Sequence, residues 1–309
     1  MKDEEILQKV LEKFRKDQKQ NYEYPEEHRI EQVTIAYILN RIPDKNKEVL
    51  KLMDVNYILK LLKRSGSEDV FGEYEEIVEC FKDQVTYYQN LGNPHIAEII
   101  RAGEIEDQSR KVELPYLLME YIEGRSLMCI LKERKSPLPF DRILEIAGDI
   151  EDALTIIHKM KIIHGDLAPE YVIIKNSGEA VISNVVLTEN ILTFNTTSRN
   201  LISTNSFMKL PKYKAPEQFE DNSGEDIRTD IYAFGAILFE MLTGEPPFQG
   251  SVFKIIERHK QEPIPNIRKK NPALPRGIQE VIGTAMAKKV KDRYGSVKEF
   301  LTELRSLII

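Results

Sequence analysis

Apolar residues at Ile6, Leu7, Val10, Leu11 and Phe14 recur at helical spacing, with Asp3, Glu4 and Glu5 ahead of them and lysines behind. That order of charge complements a helix macrodipole, so the pattern predicts an amphipathic helix over residues 3–19. Its apolar stripe needs a cover. Packing on the body of the same chain is the simpler outcome, and a contact with a partner or a second copy is the alternative; two heptads are too few for a coiled coil. Further on, apolar and β-branched runs separated by polar or Pro/Asp turns predict strands over Ile30–Leu39, Glu48–Met53 and Asn56–Leu62. A helix is expected from about Gly72 to Asn90. A longer one is expected from about Phe140 to Met160, where Ile143, Ile146, Ala147, Ile150, Ala153, Leu154 and Ile157 share one face. Between Leu187 and Phe207 the periodicity stops and eight hydroxyl side chains lie from Thr188 to Ser206. This stretch reads as a loop or partner-binding segment, with a phosphorylation switch as the alternative.

Composition narrows the classes. At 309 residues the chain can build two lobes, each with a core, and 41% hydrophobic with 30% charged residues is the balance of a soluble globular protein. A net charge of -6 gives no reason to expect nucleic acid or an acidic membrane as partner. No apolar run reaches the ~18 to 20 residues that span a bilayer, and Lys2-Asp3-Glu4-Glu5 is no signal peptide, so a cytoplasmic protein is expected. Cys80 and Cys129 are far apart and lack metal-ligand spacing, which argues against a disulfide framework and a zinc site. The last residues, Leu307-Ile308-Ile309, leave open that the chain is a fragment of a longer protein.

The chemistry-bearing motif is His164-Gly165-Asp166-Leu167-Ala168-Pro169-Glu170-Tyr171. It resembles H-R-D-L-K-P-x-N, the catalytic loop of eukaryotic-like Ser/Thr protein kinases, the bacterial Hanks-type members especially. Further segments resemble the same family, in order and at its spacing. Leu117-Leu118-Met119-Glu120-Tyr121-Ile122-Glu123-Gly124 looks like the interlobe hinge, with Met119 as gatekeeper, and Ala215-Pro216-Glu217 like A-P-E. Thr229-Asp230 through Gly235 looks like the start of helix αF, and Lys291-Asp292-Arg293-Tyr294 like the late C-lobe motif. Together they are specific, whereas each alone would be weak.

The resemblance implies an α+β, bilobal kinase-like fold with a small β-rich N-lobe and a larger helical C-lobe. It divides the chain into an N-terminal helical extension at 1–27, an N-lobe at 28–119, a hinge at 120–125 and a C-lobe at 126–309, with an activation segment at 184–217. It also implies roles. Asp166 becomes the candidate base, or its vestige. Lys60, on the expected strand Asn56–Leu62, becomes the phosphate-pairing lysine, with Lys63 as rival, and Ile58 falls where an alanine faces adenine. Gln84 takes the place of the αC glutamate, with Glu79 as rival, and Met119, Glu120, Ile122 and Ile173 are placed around the base. His164, Glu217, Asp230 and Arg293 become structural, with Glu217 and Arg293 expected to form a buried pair.

The departures cluster on ATP handling. Gly165 replaces the arginine that receives activation-segment phosphate, Ala168 the phosphate-neutralising lysine, Tyr171 one metal ligand, and Asn184 the principal metal-binding aspartate. Leu210 replaces a threonine that hydrogen-bonds the catalytic loop. No glycine precedes Gly66, so the glycine-rich phosphate loop is missing. A neutral amide at Asn184 and a phenol at Tyr171 offer magnesium no carboxylate, although Glu170 or Asp166 could hold it instead. The expectation is therefore a pseudokinase that works by binding a protein partner, without ATP or magnesium as cofactor, with a dimer through the N-terminal helix or N-lobe as an option. The alternatives are a weak or unconventional ATP-dependent Ser/Thr kinase using Asp166 as base, and a nucleotide-binding switch without catalysis.

Overall fold

The computed structural model describes residues 3–18, 21–23, 28–31, 34–42, 46–64, 67–89, 91–107, 111–134, 136–184, 211–220 and 226–308. The chain separates into two compact units, one drawn mainly from Met1–Gly92 and Ala97–Tyr121, the other from Asn93–Ile96, Ile122–Val185 and Ser206–Ile309. Among the described residues no helix is long and apolar enough to cross a membrane.

The first unit is an antiparallel sheet with helices. Helix α1 (Asp3–Gln18) is followed by strands β1 (Asn21–Tyr22), β2 (His28–Glu31), β3 (Thr34–Ile42) and β4 (Lys47–Met53). Then come helices α2 (Val55–Arg64) and α3 (Val70–Tyr88) and strands β5 (Ile99–Asp107) and β6 (Val112–Glu120). The sheet runs β1-β3-β4-β6-β5, with β2 also paired to β3. Strand β6 is buried on both alternating faces, Leu114, Tyr116 and Leu118 on one and Pro115, Leu117 and Met119 on the other. A strand of continuous apolar character is covered on both sides for this reason. Helix α1 supplies part of that cover. Ile6, Leu7, Val10 and Phe14 are buried, and the Phe14 ring meets Tyr116 edge-on at 5.3 Å and Tyr22 at 5.6 Å. Its apolar stripe thus packs on the chain's own sheet. Helix α3 is capped by Asp69, whose carboxylate accepts the Gly72 amide at 3.0 Å. Buried Tyr74 ties α3 to β6 by donating to the Glu113 carbonyl at 2.6 Å.

Two strand expectations need correction. The run Ile30–Leu39 is not one strand: Glu31 pairs with Thr34, so β2 and β3 form a hairpin whose two connecting residues, Gln32 and Val33, lie outside the described residues. The run Asn56–Leu62 is not a strand at all but lies within α2. Val55, Ile58, Leu59 and Leu62 are buried at i, i+3, i+4 and i+7, a helical stripe whose β-branched and aromatic neighbours imitate strand composition. Counting from β2, the third strand is instead β4, which follows the hairpin.

The second unit is mainly helical. A small sheet of β7 (Gly124–Ser126), β8 (Val172–Lys175) and β9 (Ala180–Ile182) accompanies helices α4 (Leu127–Arg134) and α5 (Phe140–Lys159). Helices α6 (Arg228–Thr243), α7 (Val252–Gln261), α8 (Ile278–Ala285) and α9 (Val297–Ser306) follow. Helix α6 is buried from Thr229 to Thr243 and forms the centre of this unit. At Gly235 a Cβ would lie 2.9 Å from Met286 and 3.1 Å from Ala285, so the glycine sets how closely α6 meets α8. On α5 the seven apolar residues of the expected stripe are all buried.

Helix α5 ends in a turn where Lys161 adopts φ +59°, with its amide on the His158 carbonyl at 2.9 Å. A left-handed conformation costs a side-chain-bearing residue ~1–2 kcal/mol and glycine almost nothing. Lys161→Gly is therefore expected to stabilise the chain by about 1 kcal/mol and raise Tm by about 2–4 °C in a thermal melt.

Candidate functional site

The loop after α5 is organised by Asp230, the third residue of α6. Its carboxylate, fully buried, accepts the His164 and Gly165 amides, each at 2.8 Å, and His158 Nε2 at 2.8 Å. Three donors compensate a charge that would be expensive alone, and a position in the first helical turn favours it further. Gly165 has φ +75°. Glycine tolerates this backbone, which brings two successive amides onto one carboxylate, so the residue that gives up the arginine side chain also removes backbone strain.

Asp166 is buried, and its amide approaches His164 Nδ1 at 3.4 Å. Its carboxylate lies 3.9 Å from the ammonium of Lys214. Residues Pro169–Tyr171 form a 3₁₀ turn in which the Tyr171 amide donates to the Ala168 carbonyl at 3.0 Å. The Tyr171 carbonyl in turn accepts the Ser183 amide at 2.8 Å and the Ser183 hydroxyl at 3.1 Å. These bonds hold the loop to the end of β9 and place Asn184, itself buried, one residue beyond. Gly178 sits at φ +102° in the β8–β9 turn, in keeping with the ungapped count that assigns the metal-aspartate position to Asn184. Ile173 lies half-buried on β8, opposite Ser126 and Val181.

The donors at the family's two metal-ligand positions differ from the family's own. Asn184 and Tyr171 supply an amide and a phenol at the two ligand positions that the family resemblance assigns, where the family has a carboxylate and an amide.

Segment Pro211–Phe219 is fixed at several points in the same unit. Glu217 pairs with Arg293 through two bonds of 2.6 and 2.7 Å, and Thr229 donates to the same carboxylate at 2.9 Å. Arg293 also donates to the Ala287 and Arg228 carbonyls and lies over the Tyr232 ring at 4.8 Å. Such a pair is stabilising only because its other donors and acceptors are satisfied. Tyr213 donates to Glu240 at 2.5 Å, and burial raises the pKa of both groups. Gln218 bridges inward, donating to the Gly165 carbonyl at 2.7 Å and accepting the Ala215 amide at 3.0 Å. Residues Leu187–Phe207 and Leu210 lie outside the described residues.

In the first unit the expected nucleotide-facing residues separate. Lys60 and Lys63 are exposed on α2, and Ile58 is buried there, so the expected approach of Ile58 to an adenine ring has no strand to carry it. The buried lysine of β4 is Lys51, missed in the sequence because its pattern reads Ile30–Leu39 as one strand and Asn56–Leu62 as a strand. Lys51 is 9% exposed and lies opposite Ala36 and Leu117, while Val49, two residues earlier, lies opposite Ile38 and Met119. One face of three strands therefore carries a lysine among apolar side chains. The Val-Leu-Lys of residues 49–51 was the available signal. Gln84 is half-buried on α3, seven residues after buried Ile77 and three after buried Phe81. Glu79 is exposed and binds Lys82 at 2.7 Å; Lys82 also reaches Glu104 at 2.9 Å and Glu113 at 3.1 Å, tying α3 to β5 and β6. Glu120 pairs its amide with the Glu98 carbonyl at 3.0 Å and its carboxylate with the Glu98 amide at 2.9 Å. Ile122 is half-buried at the start of the second unit's main segment.

A catalytic loop braced by a helix-borne aspartate, with an A-P-E glutamate paired to a distant arginine, defines the protein-kinase class. The family model of the protein kinase domain matches residues 60–304, and the chain belongs to that family. A probable serine/threonine-protein kinase of Clostridium perfringens is 32% identical over 250 residues, covering 81% of this chain and 34% of that protein. Probable serine/threonine-protein kinase PknB of Lactococcus lactis is 33% identical over 225 residues, covering 72% and 34%. Serine/threonine-protein kinase PrkC of Bacillus subtilis is 28% identical, covering 82% and 37%. The chain thus spans about a third of the length of these curated relatives. The crystal structure of the Mycobacterium tuberculosis PknI kinase domain aligns with TM-score 0.64 at 20% identity, covering 93% of this chain and 95% of that one, a likeness of fold.

His259 anchors the segment carrying Tyr213 and Lys214: its Nε2 donates to the Lys212 carbonyl at 3.0 Å and its Nδ1 accepts the Tyr232 hydroxyl at 2.8 Å. Burial, with Lys288 nearby, lowers its pKa to about 3. The unfolded chain, with histidine near 6.5, binds the extra proton first, so stability is full above about pH 6.5 and falls as pH drops toward 3. By pH 5 this single group should cost about 2 kcal/mol. His259→Gln is expected to flatten that dependence, as measured by denaturant unfolding at pH 7.5 and pH 5.

Proposed function

We propose that this chain is a pseudokinase: a protein-kinase domain that acts by binding a protein partner, with phosphotransfer lost or residual. The observation that carries this is the change at both family metal-ligand positions, the aspartate to Asn184 and the asparagine to Tyr171, while Asp230 still holds the His164 and Gly165 amides of the loop. Metal ions supply several kcal/mol of charge stabilisation to phosphoryl transfer, and losing ~4 kcal/mol slows a reaction roughly 10³-fold. The chain works in the cytoplasm, where its free Cys80 and Cys129 stay reduced. The relatives are named as serine/threonine kinases, and if this chain transfers phosphate at all, that is the class of transfer, with Asp166 as base.

A second reading is favoured by Lys51. A buried lysine on an otherwise apolar sheet face suits a nucleotide held without transfer, a conformational switch that partners sense.

Two assays separate these. ATP at millimolar concentration is expected to leave Tm unchanged both with and without magnesium, and wild type to transfer no labelled phosphate to a Ser/Thr substrate. A ligand at 100 times its Kd would add about 2.7 kcal/mol, so a metal-independent rise of about 5–10 °C supports the switch. Transfer by wild type that Asp166→Asn abolishes would exclude the pseudokinase.

A further inference from the structure

We propose that Lys214 is the counter-ion of Asp166 and that, with Gln218, it fastens the catalytic loop to segment Pro211–Phe219. Three losses leave this loop with fewer holds than the family's: Gly165 has no side chain to receive a phosphate, Ala168 no ammonium, and Leu210 no hydroxyl. Two contacts in the same unit answer them. The Lys214 ammonium stands 3.9 Å from the Asp166 carboxylate, with side chains 22% and 5% exposed. One turn of chain later, the Gln218 amide donates to the Gly165 carbonyl at 2.7 Å while its oxygen accepts the Ala215 amide, so its orientation is fixed from both ends.

The segment that carries Lys214 cannot drift. Tyr213 is bound to Glu240, the Lys212 carbonyl to His259, and Glu217 to Arg293. A cation on so well-fixed a backbone lowers the cost of burying Asp166 and, unlike a phosphate, needs no modifying enzyme. The loop is thereby held in place constitutively, and Asp166 works as a structural carboxylate. Lys214 and Gln218 are positioning residues; neither is assigned a step in a reaction.

Because the assignment presupposes the pseudokinase reading, the test keeps the two apart. Asp166→Asn and Lys214→Gln should each lower Tm by about 2–4 °C, and the double variant should lose no more than the larger single loss. Lys214→Arg should match wild type. In the Lys214→Gln background, Ala168→Lys should restore Tm by returning an ammonium to the loop, a rescue that mere loss of packing would not show. Amide hydrogen exchange, read peptide by peptide, should quicken over residues 164–168 in Lys214→Gln and stay unchanged in α9. Additive losses, an unaltered melt for Lys214→Gln, or failure of the Ala168→Lys rescue would overturn the proposal. Phosphate transfer lost in Asp166→Asn while the cycle stays non-additive would sink the pseudokinase reading and leave the counter-ion pair standing.

Discussion

The buried carboxylate of Asp230 is the constraint on which the catalytic loop depends. It lies in the first turn of a helix buried almost throughout, and it takes a hydrogen bond from His158 at the end of α5 and two from the loop backbone. Each contact is one that the charge requires in a medium of low dielectric. The loop between α5 and β8 has little latitude as a result, because two consecutive amides must face one carboxylate and only a positive φ at residue 165 arranges this. Glycine meets that demand better than arginine does. The residue that gives up the arginine side chain thus adopts this backbone without strain.

The same division runs through the rest of the second unit. Glu217, Arg293, Thr229, Tyr213, Glu240 and His259 satisfy one another, and none of those bonds involves a nucleotide or a metal. A network whose members are all paired is costly to alter one residue at a time, since each removal strands a buried partner. Asn184, Tyr171 and Ala168 are uncharged and take no part in the Glu217–Arg293 or Tyr213–Glu240 bonds, so scaffold positions can match the family while these positions differ.

Much of this was legible in the sequence. The apolar stripes of α1 and α5, Asp230 and the Glu217–Arg293 pair were all readable, because periodicity and spaced polar residues in an apolar context report directly on burial. The first unit was less legible for local reasons. Between β2 and β3 the sequence, Gln32-Val33, holds no Gly, Pro, Asn or Asp, so nothing in it marked the change of strand. Next to it, Ile58 and its neighbours carry strand-like composition on a helical period, and the period decides. Both errors moved the lysine assignment by one element, from Lys51 to Lys60. The family model begins at residue 60, so the divergence is concentrated where the reading failed. Lys214 was invisible for a different reason, since its approach to Asp166 exists only once the segment around Tyr213 is docked.

Relocating the lysine changes which half of the chemistry is impaired. With Lys60 in the role, the first unit would have lost both its glycines and its apolar base-facing surface, since Ile58 would crowd it. With Lys51, the face bearing Ala36, Ile38, Val49, Leu117 and Met119 remains apolar beside a buried cation, and the glycines are the loss that stays. In the second unit the departures from the family fall at its metal-ligand positions, Tyr171 and Asn184. Binding an adenine-like base relies on apolar area and a few fixed polar groups, whereas transfer relies on charge neutralisation in the transition state. Occupancy and turnover thus rest on different groups, the first on the apolar face around Lys51 and the second on the positions of Tyr171 and Asn184.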